Sequence, residues 1–104
     1  MKMVIVFLTC ANDEEADKIS NVLLEKKLVA CAKKLPVSSK FWWEGKLDAA
    51  DEVQILLETI DVKFEEIQKE VSKIHSYDVP MLFSIEVLNT TESVKSWLEK
   101  ELNG

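Results

Sequence analysis

The sequence predicts an α+β domain on the split βαβ plan, with element order βαββαβ followed by a C-terminal helix. Three observations predict it. The run Met3-Val4-Ile5-Val6-Phe7-Leu8 has the length and composition of a buried strand. Two stripes at helical spacing, Ala16-Ile19-Leu23 and Phe64-Ile67-Val71-Ile74, each lie between strand-like segments. A lone interior glycine, Gly45, closes an aromatic, strand-favouring segment as a hairpin turn does.

Each element follows from its residues. The first strand, as an unbroken apolar run, is expected to be buried on both faces. Asn12 or Asp13 caps the first helix, and Asp13-Glu14-Glu15 suit its N-terminal dipole, with Lys26 and Lys27 at the basic end. Residues 28–32 read as a second strand running to Leu35-Pro36, which residues 38–43 extend or restart up to the Gly45 turn. A polar stretch, residues 46–51, leads into a third strand over 52–59. Asp61 caps the second helix, and residues 75–80 form a turn-like link. Residues 81–88 alternate as a fourth strand. Asn89 and Glu92 have capping-box spacing ahead of a short helix with Val94, Trp97, Leu98 and Leu102 on its stripe. The sum is a ferredoxin-like arrangement: a four-stranded antiparallel sheet with two helices on one face. Its other face is bare, and bare apolar faces and open strand edges call for covering, most simply by oligomerisation.

With 104 residues the chain is read as one domain, 1–104. Thirteen basic and nineteen acidic residues give a net charge of −6, which argues against nucleic acid as a partner and favours cations. No apolar run approaches the ~20 residues of a membrane helix, and the first run is too short for a signal-peptide core with its cleavage site. A cytoplasmic protein is therefore expected. Cys10 and Cys31 form no C-x-x-C pair and no disulfide framework.

Few residues carry chemistry. His75, the one histidine, is either a metal ligand or proton-transfer group, or a histidine favoured by a helix C-terminus, which is the commoner case. Cys10, at a strand end, and Cys31 are either soft-metal ligands or buried packing residues. Glu52 and Glu58 flank an apolar strand, as pocket carboxylates or, more ordinarily, as solvated strand-end charges. Phe41, Trp42, Trp43 and Gly45 make an aromatic hairpin better suited to an oligomer interface than to stacking on bases. No glycine-rich loop, H-E-x-x-H or G-x-S-x-G is present, so no enzyme is expected.

Taken in order, Leu28-x-Ala30-Cys31, Pro36, Phe41-x-Trp43-Glu44-Gly45-Lys46, Glu52-Val53, Thr59, His75-x-Tyr77-x-x-Pro80 and Trp97-Leu98 resemble the CutA family of divalent-cation tolerance proteins over nearly the whole chain. W-E-G followed by H-x-Y-x-x-P is the specific combination. The resemblance implies a homotrimer of ferredoxin-like subunits, similar to PII-type signalling proteins, and tolerance of copper or another divalent cation without a known reaction. It implies metal ligation by His75 with Cys10 or carboxylates, and an inter-subunit cleft lined by Cys31, Trp43, Glu52 and Tyr77. The alternative it carries is a PII-like signalling or scaffold module that binds a small molecule or protein in those clefts. The chain departs from the family pattern at several positions. Ser76 replaces the proline of H-P-Y, and Glu58-Thr59 replaces Lys-Thr. Phe41 stands where tyrosine is common, and Lys33 near a usual asparagine. Some members carry a first-strand cysteine and two adjacent histidines proposed as copper ligands. Here the cysteine position falls at Leu8 or Thr9, with Cys10 just beyond, and Ile74 takes the first histidine position.

Overall fold

A computed structural model describes residues 1–103. The elements are strand β1 (Met3–Cys10), helix α1 (Asp13–Glu25), strands β2 (Cys31–Trp43) and β3 (Lys46–Ile60), a 3-10 turn (Asp61–Lys63), helix α2 (Phe64–Ile74), strand β4 (Leu82–Glu86) and helix α3 (Glu92–Asn103). The strands form one sheet in the order β2-β3-β1-β4, every neighbouring pair antiparallel. This is the ferredoxin-like arrangement expected from the sequence.

Alternation along β1 places Val4, Val6, Leu8 and Cys10 on the helix-covered face, opposite Thr59, Leu57, Ile55 and Val53 of β3. They pack with Ala16, Ile19 and Leu23 of α1 and Ile67 and Val71 of α2 into the main core. The intervening residues of β1 are only half-buried, so the expectation of burial on both faces is corrected. In the single chain the second face is covered at one end only. There Leu98 and Leu102 of α3 pack on Ile60, with Met3, Ala30 and Val94 around them. Burying each of those leucines contributes about 2 kcal/mol. The rest of that face stays open, including Ile85, 54% exposed, and the stacked rings of Phe7 and Phe83, whose centroids are 5.0 Å apart. Among the described residues no helix is long and apolar enough to cross a membrane.

Helix α1 starts as expected, Asn12 Oδ1 accepting the Glu15 N–H at 2.9 Å. It ends in a Schellman motif. The Lys27 N–H bonds Leu24 O, the Leu28 N–H bonds Leu23 O, and Lys27 takes the left-handed position at φ 59°. Leu28 and Val29 are buried in this connection, and β2 begins only at Cys31. The strand then runs unbroken through Pro36, which is tolerated because β2 is an edge strand.

Other boundaries move too. The polar residues 46–51 are strand, not a lead-in: β3 pairs with β2 from Trp43↔Lys46 through Val37↔Glu52 and beyond. This arm is mostly exposed, so no apolar alternation marks it. Glu44 (φ 50°) and Gly45 (φ 78°) close it as a two-residue type I′ turn, the conformation that favours glycine. Asp61 lies inside the 3-10 turn and makes no side-chain cap to α2. Strand β4 is shorter than 81–88, although Met81 O and the Val87 N–H still bond Thr9 N and Met3 O. Thr91, not Asn89, caps α3, its Oγ1 accepting the Val94 N–H at 3.2 Å.

Candidate metal centre

At the end of the sheet where β1 hands over to α1, three donors converge. The ligand atoms of Cys10, Glu15 and His75 all lie within 4.8 Å of one another. Cys10 ends β1 on the core side and is fully buried. Burial first, then the carboxylates of Glu15 and Glu52, push its thiol up to about 12, so it is protonated at neutral pH.

Glu15 sits in the first turn of α1 and reaches back in the manner of a capping box. Its Oε1 accepts the Ala11 N–H at 2.9 Å and its Oε2 the Ser76 N–H at 2.8 Å. Burial opposes its ionisation, but these bonds outweigh it and hold the carboxyl below its usual value. The sequence reading missed Glu15. Asn12-x-x-Glu15 has the same box spacing as Asn89-x-x-Glu92, and that spacing is the signal that marks it.

His75 caps α2, its backbone N–H on Val71 O at 2.9 Å, and its side chain is fully buried. The ring Nε2 is 2.8 Å from Thr9 O, and Nδ1 is 3.0 Å from the Tyr77 backbone N. A carbonyl only accepts and an amide N–H only donates, so Nε2 carries the proton and Nδ1 accepts. The imidazole is therefore neutral, and Nε2 stands 3.8 Å from Glu15 Oε1. Both expectations for His75 meet in one residue, since it is a helix-end histidine and also one of the three convergent donors.

Next to it, the Tyr77 hydroxyl donates to Glu52 Oε2 at 2.6 Å, and its ring lies against the imidazole with centroids 5.0 Å apart. Burial and this bond raise the phenol well above its ordinary value. Glu52 is 8% exposed, which corrects its reading as a solvated strand-end charge. Glu58 is paired across the ladder with Lys33.

Glu52 and Tyr77 are thus together, but the other two cleft residues are not with them in one chain. Glu52 pairs with Val37, the midpoint of β2, whereas Cys31 and Trp43 are its two ends. At about 3.3 Å per residue each end is roughly 20 Å from Glu52. Phe41, Trp42, Trp43 and Gly45 occupy the outer end of the arm, with Trp42 70% exposed. A shallow groove of about 360 Å³ lies on the arm, lined by Lys40, Leu47, Asp48 and Ala49.

The donor set at the handover suits a divalent ion. Thiol, imidazole and carboxylate are the ligand types of zinc and copper sites, and three protein donors leave a fourth position open. The Glu15 carboxylate and both His75 nitrogens are already hydrogen-bonded, however, and the thiol and the imidazole Nε2 both hold protons.

Comparison with known proteins identifies the family. The family model described as CutA1 divalent ion tolerance protein matches residues 4–101. The divalent-cation tolerance protein CutA of Archaeoglobus fulgidus is 38% identical over 95 residues, 91% of this chain and 93% of that one. Its namesake from Pyrococcus horikoshii is 35% identical over 99 residues, 95% of this chain and 97% of that one. Among solved structures, the periplasmic divalent cation tolerance protein CutA from Archaeoglobus fulgidus superposes with a TM-score of 0.94 at 36% identity, covering 96% of this chain and 98% of that one. CutA1 from Pyrococcus horikoshii gives 0.89 at 34%, over 94% and 96%. The order of the motifs, the ferredoxin-like sheet and these matches lead to one conclusion: the chain belongs to the CutA1 divalent ion tolerance protein family.

Proposed function

We propose that this protein confers divalent-cation tolerance by binding the cation directly, copper or zinc, at Cys10, Glu15 and His75, without catalysing a reaction. The observation that carries the reading is the convergence of those three donor atoms within 4.8 Å. Loading expels the thiol proton of Cys10 and requires His75 to free one ring nitrogen, so uptake is coupled to proton release. The site is accordingly one of modest affinity at neutral pH.

The working unit in this reading is a homotrimer in the cytoplasm. The open sheet face and the exposed arm residues Trp42, Trp43 and Leu47 support association with further copies. A reducing compartment suits two free cysteines. The same exposed arm also favours a second reading, a PII-like module that receives a small molecule or protein between subunits.

The test is calorimetric titration of Cu(II) and Zn(II) into metal-free protein, wild type beside Cys10→Ser and His75→Ala. Stoichiometric binding that each variant loses supports the cation reading. Absent binding, or equal binding in all three, overturns it in favour of the PII-like module.

A further inference from the structure

We infer that Tyr77 and Glu52 form a latch that keeps His75 from acting as a cation ligand until the Tyr77 backbone amide is displaced. The inference rests on the cation reading of the same site, and it follows from the tautomer of a single ring. Nδ1 accepts the Tyr77 N–H, while Nε2–H donates to Thr9 O. A cation bound at Nδ1 needs the lone pair that the Tyr77 amide occupies. A cation bound at Nε2 needs the proton moved to Nδ1, where the Tyr77 amide would then face it donor against donor. By either nitrogen, ligation requires the Tyr77 amide to leave.

That amide is not free to leave, because Tyr77 is anchored a second time. Its hydroxyl donates to the nearly buried Glu52 carboxylate at 2.6 Å, a short charge-assisted bond. The ring is packed on the imidazole itself. Glu52 belongs to β3 and Tyr77 to the link between α2 and β4, so the latch ties that link to the base of the hairpin arm. Tyr77 and Glu52 are positioning residues here: they act through His75 and set how readily it can be recruited.

The ordinary expectation for residues around a metal site is that removing them weakens binding. The latch predicts the opposite sign. Tyr77→Phe deletes the hydroxyl anchor, and Glu52→Gln retains an acceptor but removes its charge. Co(II) added to metal-free protein, followed by its d–d absorption, reports ligation by thiolate and imidazole. The expected order of affinity is wild type, then Glu52→Gln, then Tyr77→Phe, with the last tighter than wild type by at least about fivefold, a fraction of one charge-assisted hydrogen bond. Because the chain has one histidine, its two ring nitrogens give an unambiguous NMR reading of the apo tautomer. Wild type is expected to show a single form with the proton on Nε2, and Tyr77→Phe an averaged pair. A wild-type ring protonated on Nδ1 overturns the latch. So does Co(II) binding that is unchanged or weakened in both variants, which leaves the cation site standing. Failure of wild type and both variants to take up Co(II) overturns the cation reading and the latch with it. Glu52→Gln, which leaves no unpaired buried charge, carries the test if Tyr77→Phe folds poorly.

Discussion

Lys33 reaches diagonally across the β2–β3 ladder to Glu58, Nζ to Oε1 at 2.9 Å, with Cys31 Sγ as a second acceptor at 3.3 Å. Glu58 is the position where the family pattern commonly has lysine, and Lys33 stands near a usual asparagine. The reversal at one position is matched by a cation at its diagonal neighbour, which is how cross-strand pairs accommodate a change of sign.

This pair yields a signed prediction. Glu58→Lys sets two ammonium groups against each other and is expected to lower stability. Glu58→Lys with Lys33→Asn, the family-like combination, restores it. Lys33 is more than half exposed, so the effect is small, about 0.5 kcal/mol. Urea unfolding midpoints of wild type, single and double variants measure it. A double variant no more stable than the single removes the compensation.

The capping role of Glu15 sets a pH dependence. Its folded-state value lies below the ordinary 4.5 because the bonds from Ala11 and Ser76 outweigh the cost of burial. A lowered folded value means that the stabilisation is fully present above 4.5 and is lost as pH falls through the folded value. Metal-free Glu15→Gln is therefore expected to be less stable than wild type at pH 6, with a gap that narrows below pH 4.5. Denaturant midpoints between pH 3 and 6 follow the gap, and parallel profiles of the two proteins would contradict it.

What was legible in the sequence divides along physical lines. The helix stripes were legible because each buries one face and burial writes period into sequence, whereas β1 and the apolar part of β3 were legible as apolar runs, which announce a strand but not which face it buries. The arm was not legible beyond Gly45, because residues 46–51 bury little and keep strand geometry through backbone pairing with β2. Asp61 and Asn89 failed as caps for a local reason: the chain inserts a 3-10 turn at Asp61 and offers Thr91 closer to α3. At the candidate site Cys10 and His75 were visible as rare residue types. Glu15 was hidden among three consecutive acids, and the engagement of both His75 nitrogens depends on two backbone groups, Thr9 O and Tyr77 N–H, that no residue type announces.

The hairpin turn is open to improvement at Glu44. A type I′ turn needs φ > 0 at both central residues, and a glutamate at φ 50° is strained where asparagine is preferred. Glu44→Asn is expected to stabilise the protein by about 0.5 kcal/mol. Gly45→Val is expected to cost about 1–2 kcal/mol. The cost there is purely conformational, because a Cβ built at Gly45 meets nothing within 4 Å. Gly45→Asn should fall between wild type and Gly45→Val. Thermal unfolding of the four proteins orders them, and equal stability of Gly45→Val and wild type would rule out the turn type.

Trp43 tests the proposed assembly. Strand alternation places Trp43 and Phe41 on the same side of β2 as Leu35, the side continuous with the open face that carries Ile5, Phe7 and Ile85. Trp43 is 45% exposed and Leu35 42%, so this surface runs from the sheet out along the arm without a covering element in the single chain. An aromatic anchor on such a surface contributes about 2 kcal/mol or more per interface, close to a thirtyfold change in association. Trp43→Ala is therefore expected to dissociate at concentrations where the wild-type trimer holds together. Sedimentation equilibrium over a dilution series, with secondary structure checked by circular dichroism, separates lost assembly from lost fold. A folded Trp43→Ala protein that dissociates at the same concentration as wild type removes Trp43 from the interface, and a wild type that is monomeric at micromolar concentration removes the trimer.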